Sequence, residues 1–208
     1  ADKIFGNGNE DDWNERQEGE YGGAIIEIEN EEQEDFFVFK HKKELADELY
    51  DLPPSLYEAI GYFCLVNAIS DYRYDTNQHR SMMVNVSRFT NVQNVTAELI
   101  EEYMGQIKSD LENYSQLPVQ QAMRIKNIRK LNCIWDEYAL ESVAGITWEH
   151  LLKEYLFKAV RRIEVRSVNQ KTGAKSLDYY NYKETGMRVI AVGGNSLSRG
   201  LTLEGLCV

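Results

Sequence analysis

The hydrophobic and polar positions of the chain follow two different periods, and together they predict a mixed α/β fold. An uninterrupted apolar run at 189–192, preceded by Met187, has the length of a strand that is buried on both faces. Alternating apolar and polar residues predict two more strands, at 81–86 and at 161–168. Helical patterns separate these strands, which favours a sheet with parallel strands.

Several helical patterns surround the strands. Residues 56–72 are apolar almost all round, which predicts a buried core helix, and Ser55 and Glu58 have the spacing of a capping box at its start. Further helices are predicted at 42–52, at 95–114, at 119–140 and at 147–160, where Thr147 is the expected N-cap. We interpret the region of about 92–160 as a helical insertion in the sheet domain.

The first part of the chain differs in composition from the rest. Residues 1–20 are acidic, polar and glycine-containing, which is typical of a flexible leader. Apolar runs at 24–28 and 36–39, separated by the acidic stretch 30–35, predict an N-terminal β-hairpin. The predicted organisation is therefore a leader followed by one α/β domain at 21–208.

The negative charge is concentrated at the start of the chain. The formal net charge is −11, and residues 1–35 hold 13 acidic and 2 basic side chains. The remaining residues hold 21 of each kind, so the acidity of the whole does not argue against nucleic-acid binding by the main body. A basic patch on the predicted helix 119–140 is either a solvated face or a surface for a DNA backbone: Arg124, Lys126, Arg129 and Lys130.

Composition also indicates the class of protein. The chain contains no apolar run long enough to span a membrane and opens without a signal peptide. Its three widely spaced cysteines, Cys64, Cys133 and Cys207, predict neither a disulfide framework nor a zinc site, so we expect a cytoplasmic protein. The absence of an initial Met, and a strand predicted to begin near residue 206, indicate an internal fragment of a longer protein.

Two of the predicted strands are followed by residues suited to binding phosphate. Ser87 and Arg88 follow the strand 81–86, and two glycines and an Asn-Ser pair that can cap a helix follow the strand 189–192. The carboxyl ends of parallel strands meet at one edge of a sheet, where small residues, free backbone N–H groups and an arginine can hold an oxyanion. The expected phosphate-binding residues are Ser87, Arg88, Gly193, Gly194, Asn195, Ser196, Ser198, Arg199 and Gly200.

The same stretch resembles motif V of the superfamily-two helicases and translocases. Residues 198–202, Ser-Arg-Gly-Leu-Thr, fall on that motif's Ala-Arg-Gly-Leu-Asp, with Thr202 in place of the acid. A narrower resemblance is to the Z-one domain, a bacterial domain joined to superfamily-two helicase-like proteins that are often described as endonucleases. It is carried by residues 52–60, 79–88 and 193–206, which include Leu-Pro-Pro-Ser-Leu and His-Arg-Ser-Met-Met-Val-Asn-Val-Ser-Arg.

The resemblance implies a fold and a function. The domain would be the second RecA-like domain of an ATP-dependent DNA helicase, translocase or endonuclease, a hydrolase of restriction or defence. DNA would be its partner, and ATP and Mg²⁺ would be bound in the full-length protein with an upstream nucleotide-binding domain of the same chain. The alternative is a non-catalytic module whose helical insertion binds nucleic acid or a partner protein.

No complete active site is evident in the sequence. There is no G-x-x-x-x-G-K-[ST] loop to hold nucleotide phosphates. Glu164 and Arg166 are the nearest approach to a nuclease motif, but they lack the partner acid that Mg²⁺ would need. We therefore assign no catalytic and no metal-binding residue, and we expect the fragment alone to be inactive and to bind no cofactor.

Overall fold

The computed structural model describes residues 28–38, 40–74, 77–169, 177–194, 197 and 202–208. Within these ranges the strands are β1 (Arg80–Asn85), β2 (Ile163–Val168) and β3 (Arg188–Gly193). The first six helices are α1 (Asn30–Phe36), α2 (Pro54–Arg73), α3 (Thr90–Tyr114), α4 (Val119–Ala122), α5 (Lys126–Glu137) and α6 (Leu140–Ala144). Helix α7 joins α-helical Trp148–His150, π-helical Leu151–Leu156 and α-helical Phe157–Val160. Short 3₁₀ turns lie at Lys43–Asp47 and Tyr179–Tyr182.

The three strands form one parallel sheet in the order β1-β3-β2. Asn85 of β1 and Val168 of β2 both lie opposite Gly193, the last residue of β3, so all three strands end at the same edge. All six residues of β3 are buried, as expected for a central strand covered on both faces. The mixed α/β fold and the parallel pairing predicted for β1 and β3 are confirmed.

The sheet continues on the far side of β1. Leu206 forms a parallel bridge with Ser81, and the Cys207 N–H donates to the Ser81 carbonyl oxygen at 2.9 Å. The Met83 N–H in turn donates to the carbonyl oxygen of Val208 at 3.0 Å. The extended segment that the sequence predicts near residue 206 is therefore paired with β1.

The sheet separates two hydrophobic clusters. The larger lies between one face of the sheet and the helices α2, α3, α5 and α7, and the sheet contributes Met82, Val84, Ile163, Ile190 and Val192 to it. The smaller covers the other face and consists of Val168, Leu177, Tyr179, Met187, Val189, Ala191 and Leu197. The alternating sides of β3 thus enter different clusters, which explains its uninterrupted apolar sequence.

The N-terminal part departs from the sequence prediction. The acidic stretch 30–35, expected to be the loop of a β-hairpin, is helical in α1, because Glu and Gln have high helix propensity and acids are favourable in a first helical turn. Phe36 ends that helix and Phe37 and Val38 form no strand, while the strand expected at 24–28 lies outside the described residues. The helix expected at 42–52 is reduced to the 3₁₀ turn Lys43–Asp47.

The start of α2 also differs from the expected capping box. Pro54 occupies the first turn and Pro53 is the N-cap residue, which makes no side-chain cap. The Ser55 N–H instead donates to Oε1 of Glu32 on α1 at 2.9 Å. Glu58 is engaged elsewhere, since its Oε1 accepts a hydrogen bond from the Tyr138 hydroxyl at 2.6 Å. The predicted extent of the helix is confirmed, but the predicted cap is wrong.

The helical region 90–160 is confirmed as helical, although it is more broken than the sequence predicts. The helix expected at 119–140 is divided into α4 and α5 by Met123–Ile125, where Ile125 adopts an extended conformation. The third helix begins as predicted, with the Thr147 hydroxyl accepting from the His150 N–H at 3.4 Å. In the described part of the chain, no helix is both long and apolar enough to cross a membrane.

A buried ionic network holds the amino ends of β1 and β3. Arg80 and Arg188 lie side by side in the strand register, and Asp71 of α2 bridges them. The Asp71 carboxylate accepts from Arg80 Nη1 at 2.7 Å and from Arg188 at 2.6 and 2.7 Å. Burial lowers the pKa of Arg188, and the Asp71 carboxylate opposes that shift. The network fixes α2 to the sheet at the edge opposite the candidate site.

Candidate functional site at the carboxyl edge of the sheet

The backbones that leave β1 and β3 touch each other at the carboxyl edge. A Cβ added to Gly194 would collide with the Ser87 carbonyl oxygen and would lie 3.4 Å from Cα of Arg88. A Cβ added to Gly193 would lie 2.5 Å from the Val168 carbonyl oxygen of β2. These contacts leave no room for a side chain, so both glycines serve the close approach of three backbone segments. The structure thus brings Ser87, Arg88, Gly193 and Gly194 together.

Gln93, in the first turn of α3, fills the space behind these backbones. It is 3% exposed, and its Nε2 donates to the Ser87 carbonyl oxygen at 2.8 Å. The same Nε2 would lie 2.5 Å from a Cβ on Gly194, so this amide lies between the two strand ends. The Oε1 atom of Gln93 is buried and accepts no hydrogen bond from the described residues, which is costly for a buried carbonyl.

A cleft of about 360 Å³ opens in front of β1 at this edge. It is lined by residues of β1, by the two residues that follow that strand, and by a segment from the N-terminal part of the chain: Asn85, Val86, Ser87, Arg88, Lys40 and His41. Two basic side chains, an imidazole, a hydroxyl and an amide are groups that bind oxyanions. None of the lining residues within the described ranges is acidic.

His41 is hydrogen-bonded on both ring nitrogens. Its Nδ1 lies 2.9 Å from the Val38 carbonyl oxygen, which can only accept, so Nδ1 carries a hydrogen. Its Nε2 lies 2.8 Å from Oγ of Ser87, and in a neutral imidazole this nitrogen accepts the Ser87 hydroxyl hydrogen. Oγ of Ser87 also accepts the Phe89 N–H at 3.1 Å. His41 therefore fixes the hydroxyl of a predicted site residue.

Arg88 is the second basic residue that lines the cleft. Its side chain is exposed, and its guanidinium lies 4.8 Å from the centre of the Phe89 ring. None of the ion pairs formed within the described residues includes Arg88. The described residues therefore show no surface ion pair that would give Arg88 a purely structural role.

The remaining predicted site residues lie outside the described part of the chain: Asn195, Ser196, Ser198, Arg199 and Gly200. Their placement and their phosphate-binding role stay predictions. Leu197 lies between them in the sequence and is described; it is buried in the smaller cluster, and its N–H donates to the Gly194 carbonyl oxygen at 2.8 Å.

Sequence reasoning missed three residues of this edge, namely Lys40, His41 and Gln93. The first two are separated from Ser87 by more than forty residues of chain, the His41–Ser87 separation being 46, and no local pattern connects them. Gln93 was detectable in principle, because it lies on the first helical turn after β1. The apolar pattern predicts that this helix begins at residue 95, whereas α3 begins at Thr90.

The basic patch of the helical layer is a second candidate surface. Arg124, Lys126 and Arg129 are exposed, whereas Lys130 lies over the Tyr57 and Tyr103 rings at 5.0 and 5.8 Å. Asp51 interacts with this patch: its pKa is lowered chiefly by the hydrogen bond from the Tyr57 hydroxyl, with help from Lys130 and Lys126. Two of the four basic residues are thus partly balanced by Asp51.

The Glu164–Arg166 pair on β2 is an ion pair in the structure. Arg166 Nε donates to Glu164 Oε2 at 3.0 Å, and Nη2 donates to the Tyr182 hydroxyl at the same distance. Burial alone would lower the pKa of Arg166, but its bonds to Glu164 outweigh burial and raise it. Among the described residues, no group of three or more His, Cys, Asp or Glu side chains could hold a metal ion.

Comparison with known proteins gives one match. The family model described as the Z1 domain matches residues 55–208, which include β1, β2, β3 and all the helices from α3 onwards. No curated protein and no solved structure matches the chain significantly. The match does not extend to the helicase-like part of the resemblance, which stays a prediction. Because the matched residues make up well over half of the sequence, this chain belongs to the Z1 domain family.

Proposed function

We propose that this Z1 domain contributes a phosphate-binding edge to a larger DNA-processing enzyme. In that enzyme it would take the place of the second RecA-like domain of a superfamily-two helicase-like motor or endonuclease. The observation that carries the proposal is the meeting of Arg88 with the Gly194 backbone at the carboxyl edge of parallel strands. Open α/β sheets bind their ligands at this edge.

The electrostatics of the cleft support an anionic ligand. Among the described residues that line it, Lys40 and Arg88 are basic and none is acidic, although the chain as a whole has a net charge of −11. The exposed guanidinium of Arg88 can form two parallel hydrogen bonds to a phosphate. The carboxyl edge of the sheet is therefore locally basic, although the sequence as a whole is acidic.

ATP and Mg²⁺ belong to the upstream nucleotide-binding domain in this proposal. The described residues hold no acidic cluster for a metal ion, and the sequence contains no phosphate-binding lysine loop. This domain would supply one wall of the cleft between two domains, and catalysis would require both. The proposed partners are accordingly DNA and the upstream domain.

The decisive experiment is DNA binding by matched arginine variants. Fluorescence anisotropy with a labelled DNA duplex compares the parent protein with Arg88→Ala and Arg129→Ala across a salt series. Loss of one charged hydrogen bond weakens binding by about 1–3 kcal/mol, and loss of one phosphate contact reduces the salt slope by about 0.9. We expect these effects for Arg88→Ala and little change for Arg129→Ala, an exposed arginine on the helical layer.

The opposite pattern of DNA binding would favour the alternative function, a non-catalytic binding module. Weakened binding by Arg129→Ala with unchanged binding by Arg88→Ala would assign the DNA surface to the basic patch and would make the domain a binding module. That module is the second candidate because Arg124, Lys126 and Arg129 are all exposed. Equal binding by all three proteins would exclude both surfaces. The Arg199→Ala variant belongs in the same series, as a test of the predicted site beyond the described residues.

A further inference from the structure

We propose that Lys40 and His41 are part of the anion site, and that His41 couples the binding of a tetrahedral oxyanion to the uptake of one proton. The inference rests on the proposed phosphate-binding function of the carboxyl-edge cleft. It adds a segment that precedes the residues matched by the family model, which begin at 55. It also gives the site a dependence on pH that none of its arginines could supply.

The segment around Lys40 is anchored on the site by His41. The His41 ring packs edge-on against Phe37 and Phe89, with centroid distances of 6.4 and 6.0 Å. Together with the His41–Ser87 hydrogen bond, these contacts tie the segment to the residues that follow β1. Lys40 has a φ of 62°, in the left-handed region that side-chain-bearing residues seldom adopt. Such backbone strain is found mostly where a binding site holds it in place.

The hydrogen bonds of Ser87 make its hydroxyl depend on the charge of His41. With a neutral imidazole, the Ser87 hydrogen is donated to Nε2 of His41 and cannot reach an anion. Oγ of Ser87 accepts the Phe89 N–H and retains a second acceptor position. When Nε2 takes up a proton, it donates to that position, and the Ser87 O–H is released to donate to an oxyanion in the cleft. The Nδ1–H bond to the Val38 carbonyl oxygen is kept in both states.

The surroundings of the imidazole set the direction of the coupling. Lys40 and Arg88 line the same cleft as His41, so an anion held there lies beside the imidazole. Within the described ranges, no carboxylate forms an ion pair with His41; the other groups against its ring are the aromatic side chains and Ser87. An oxyanion bound in the cleft brings negative charge beside the His41 ring. It also accepts a hydrogen bond from the released Ser87 hydroxyl. Binding and protonation therefore favour each other.

Sulfate is the appropriate first probe, because it keeps its charge over the range in which histidine titrates, whereas phosphate does not. Titration calorimetry of the complete chain with sulfate, at about pH 5.5 and about pH 8, gives the affinity. Repeating it in buffers with different ionisation enthalpies gives the number of protons taken up. We expect tighter binding at the lower pH, by a factor within the range of about 5 to 150 that is usual for such coupling. Uptake should be a measurable fraction of one proton per sulfate, because a coupling of that size does not convert every site from the neutral to the protonated form.

Matched variants separate His41 from other titrating groups. His41→Gln keeps an amide N–H near the position of Nε2 but cannot take up a proton, so it should bind sulfate with no proton uptake and no pH dependence. His150→Gln is the control, since His150 lines a separate cleft with Asp71 at the opposite edge of the sheet. Lys40→Ala should weaken sulfate binding at every pH, whereas Lys42→Ala, an exposed neighbour outside the cleft, should not.

The outcomes distinguish this inference from the proposed function. Proton uptake that persists in His41→Gln, or sulfate binding that is absent from the parent at both pH values, would overturn the coupling. Neither result affects DNA binding that depends on Arg88. Proton-linked sulfate binding without any binding of DNA would instead support the coupling and reject the DNA proposal. Competition of sulfate by duplex DNA or by a nucleoside triphosphate then identifies the source of the oxyanion.

Discussion

At the scale of single residues, the site is defined by how closely the backbone segments approach. Gly193 and Gly194 are followed in the sequence by residues that can cap a helix, and this pattern is typical of a phosphate-binding turn. The structure shows an additional reason for the glycines, since neither position has room for a Cβ. The packing requirement and the proposed binding role apply to the same two residues, and a stability measurement separates them.

We expect Gly194→Ala to destabilise the fold by about 1–3 kcal/mol, the usual range for an added methyl group in a packed site. The new Cβ would collide with the Ser87 carbonyl oxygen and with the Gln93 amide, and both are held in place by the hydrogen bond between them. Urea denaturation measures the effect. Gly105→Ala is the matched control.

The control should change stability in the opposite direction. Gly105 lies in α3, is exposed, and would place a Cβ at least 4 Å from any other group. Alanine is favoured over glycine in a helix by about 0.8–1.0 kcal/mol, so Gly105→Ala should be stabilising. If Gly194→Ala were as stable as the parent, the strand ends would be free to separate, and the tight approach of Ser87 to Gly194 would be rejected.

The residues of the site divide into those that local sequence can reveal and those that it cannot. Ser87 and Arg88 directly follow an alternating apolar strand, and Gly193 and Gly194 end an apolar run, so a rule about strand ends finds all four. His41 reaches Ser87 only because the chain folds back across 46 residues, and its intervening sequence carries no period that predicts the contact. Long-range contacts of this kind are determined by the packing of whole elements.

At the scale of elements, the start of α2 shows how tertiary structure can replace a local signal. Ser55 and Glu58 have the spacing of a capping box, but Pro53 and Pro54 fix the backbone so that the helix begins two residues earlier, at Pro54. The N–H of Ser55 is then satisfied by a carboxylate of α1. A negative charge at the first turn also interacts favourably with the helix dipole.

We expect Glu32→Ala to destabilise the fold by about 0.5–2 kcal/mol, the usual effect of losing an N-terminal cap. Ser55→Ala should be nearly neutral, because it is the Ser55 backbone N–H that is bonded to Glu32 and not its hydroxyl. Glu31→Ala, an exposed neighbour on α1, controls for helix propensity and net charge. Thermal or urea denaturation of the three variants gives the comparison. If Ser55→Ala destabilised the fold more than Glu32→Ala, the result would support the capping box that the sequence predicts.

Other elements differ in how completely their sequence specifies them. The run at 189–192 is buried on both faces, and its short length together with the two glycines that follow it indicates a central parallel strand. The predicted helix at 119–140 keeps a helical period through the break at Met123–Ile125, so the period does not locate the break. The hairpin expected before residue 40 rested on short apolar runs alone, and such runs do not distinguish a strand from a helix.

At the scale of the whole molecule, charge is distributed unevenly along the chain. The net charge of −11 is carried by residues 1–35, and the remainder is neutral overall. The family match begins at residue 55 and so excludes this acidic part. Any DNA phosphate that approaches the basic cleft therefore experiences both the local attraction of Lys40 and Arg88 and the repulsion of the N-terminal acids.

Removing the charge of the leader should tighten DNA binding at low salt. Residues 1–20 hold seven acids and two bases: Asp2, Glu10, Asp11, Asp12, Glu15, Glu18 and Glu20 against Lys3 and Arg16. An exposed charge interaction is worth up to about 1 kcal/mol, so we expect an increase in affinity of about fivefold. Replacing the seven acids by their amides keeps the chain length, and anisotropy with labelled duplex DNA measures the change.

The gain should disappear as salt is raised, because screening at about 1 M reduces the range of the repulsion to about 3 Å. A truncation that lacks residues 1–20 is the companion variant. If it gained affinity while the amide variant did not, the leader would act by occupying the DNA surface, and repulsion by its charge would be the wrong explanation.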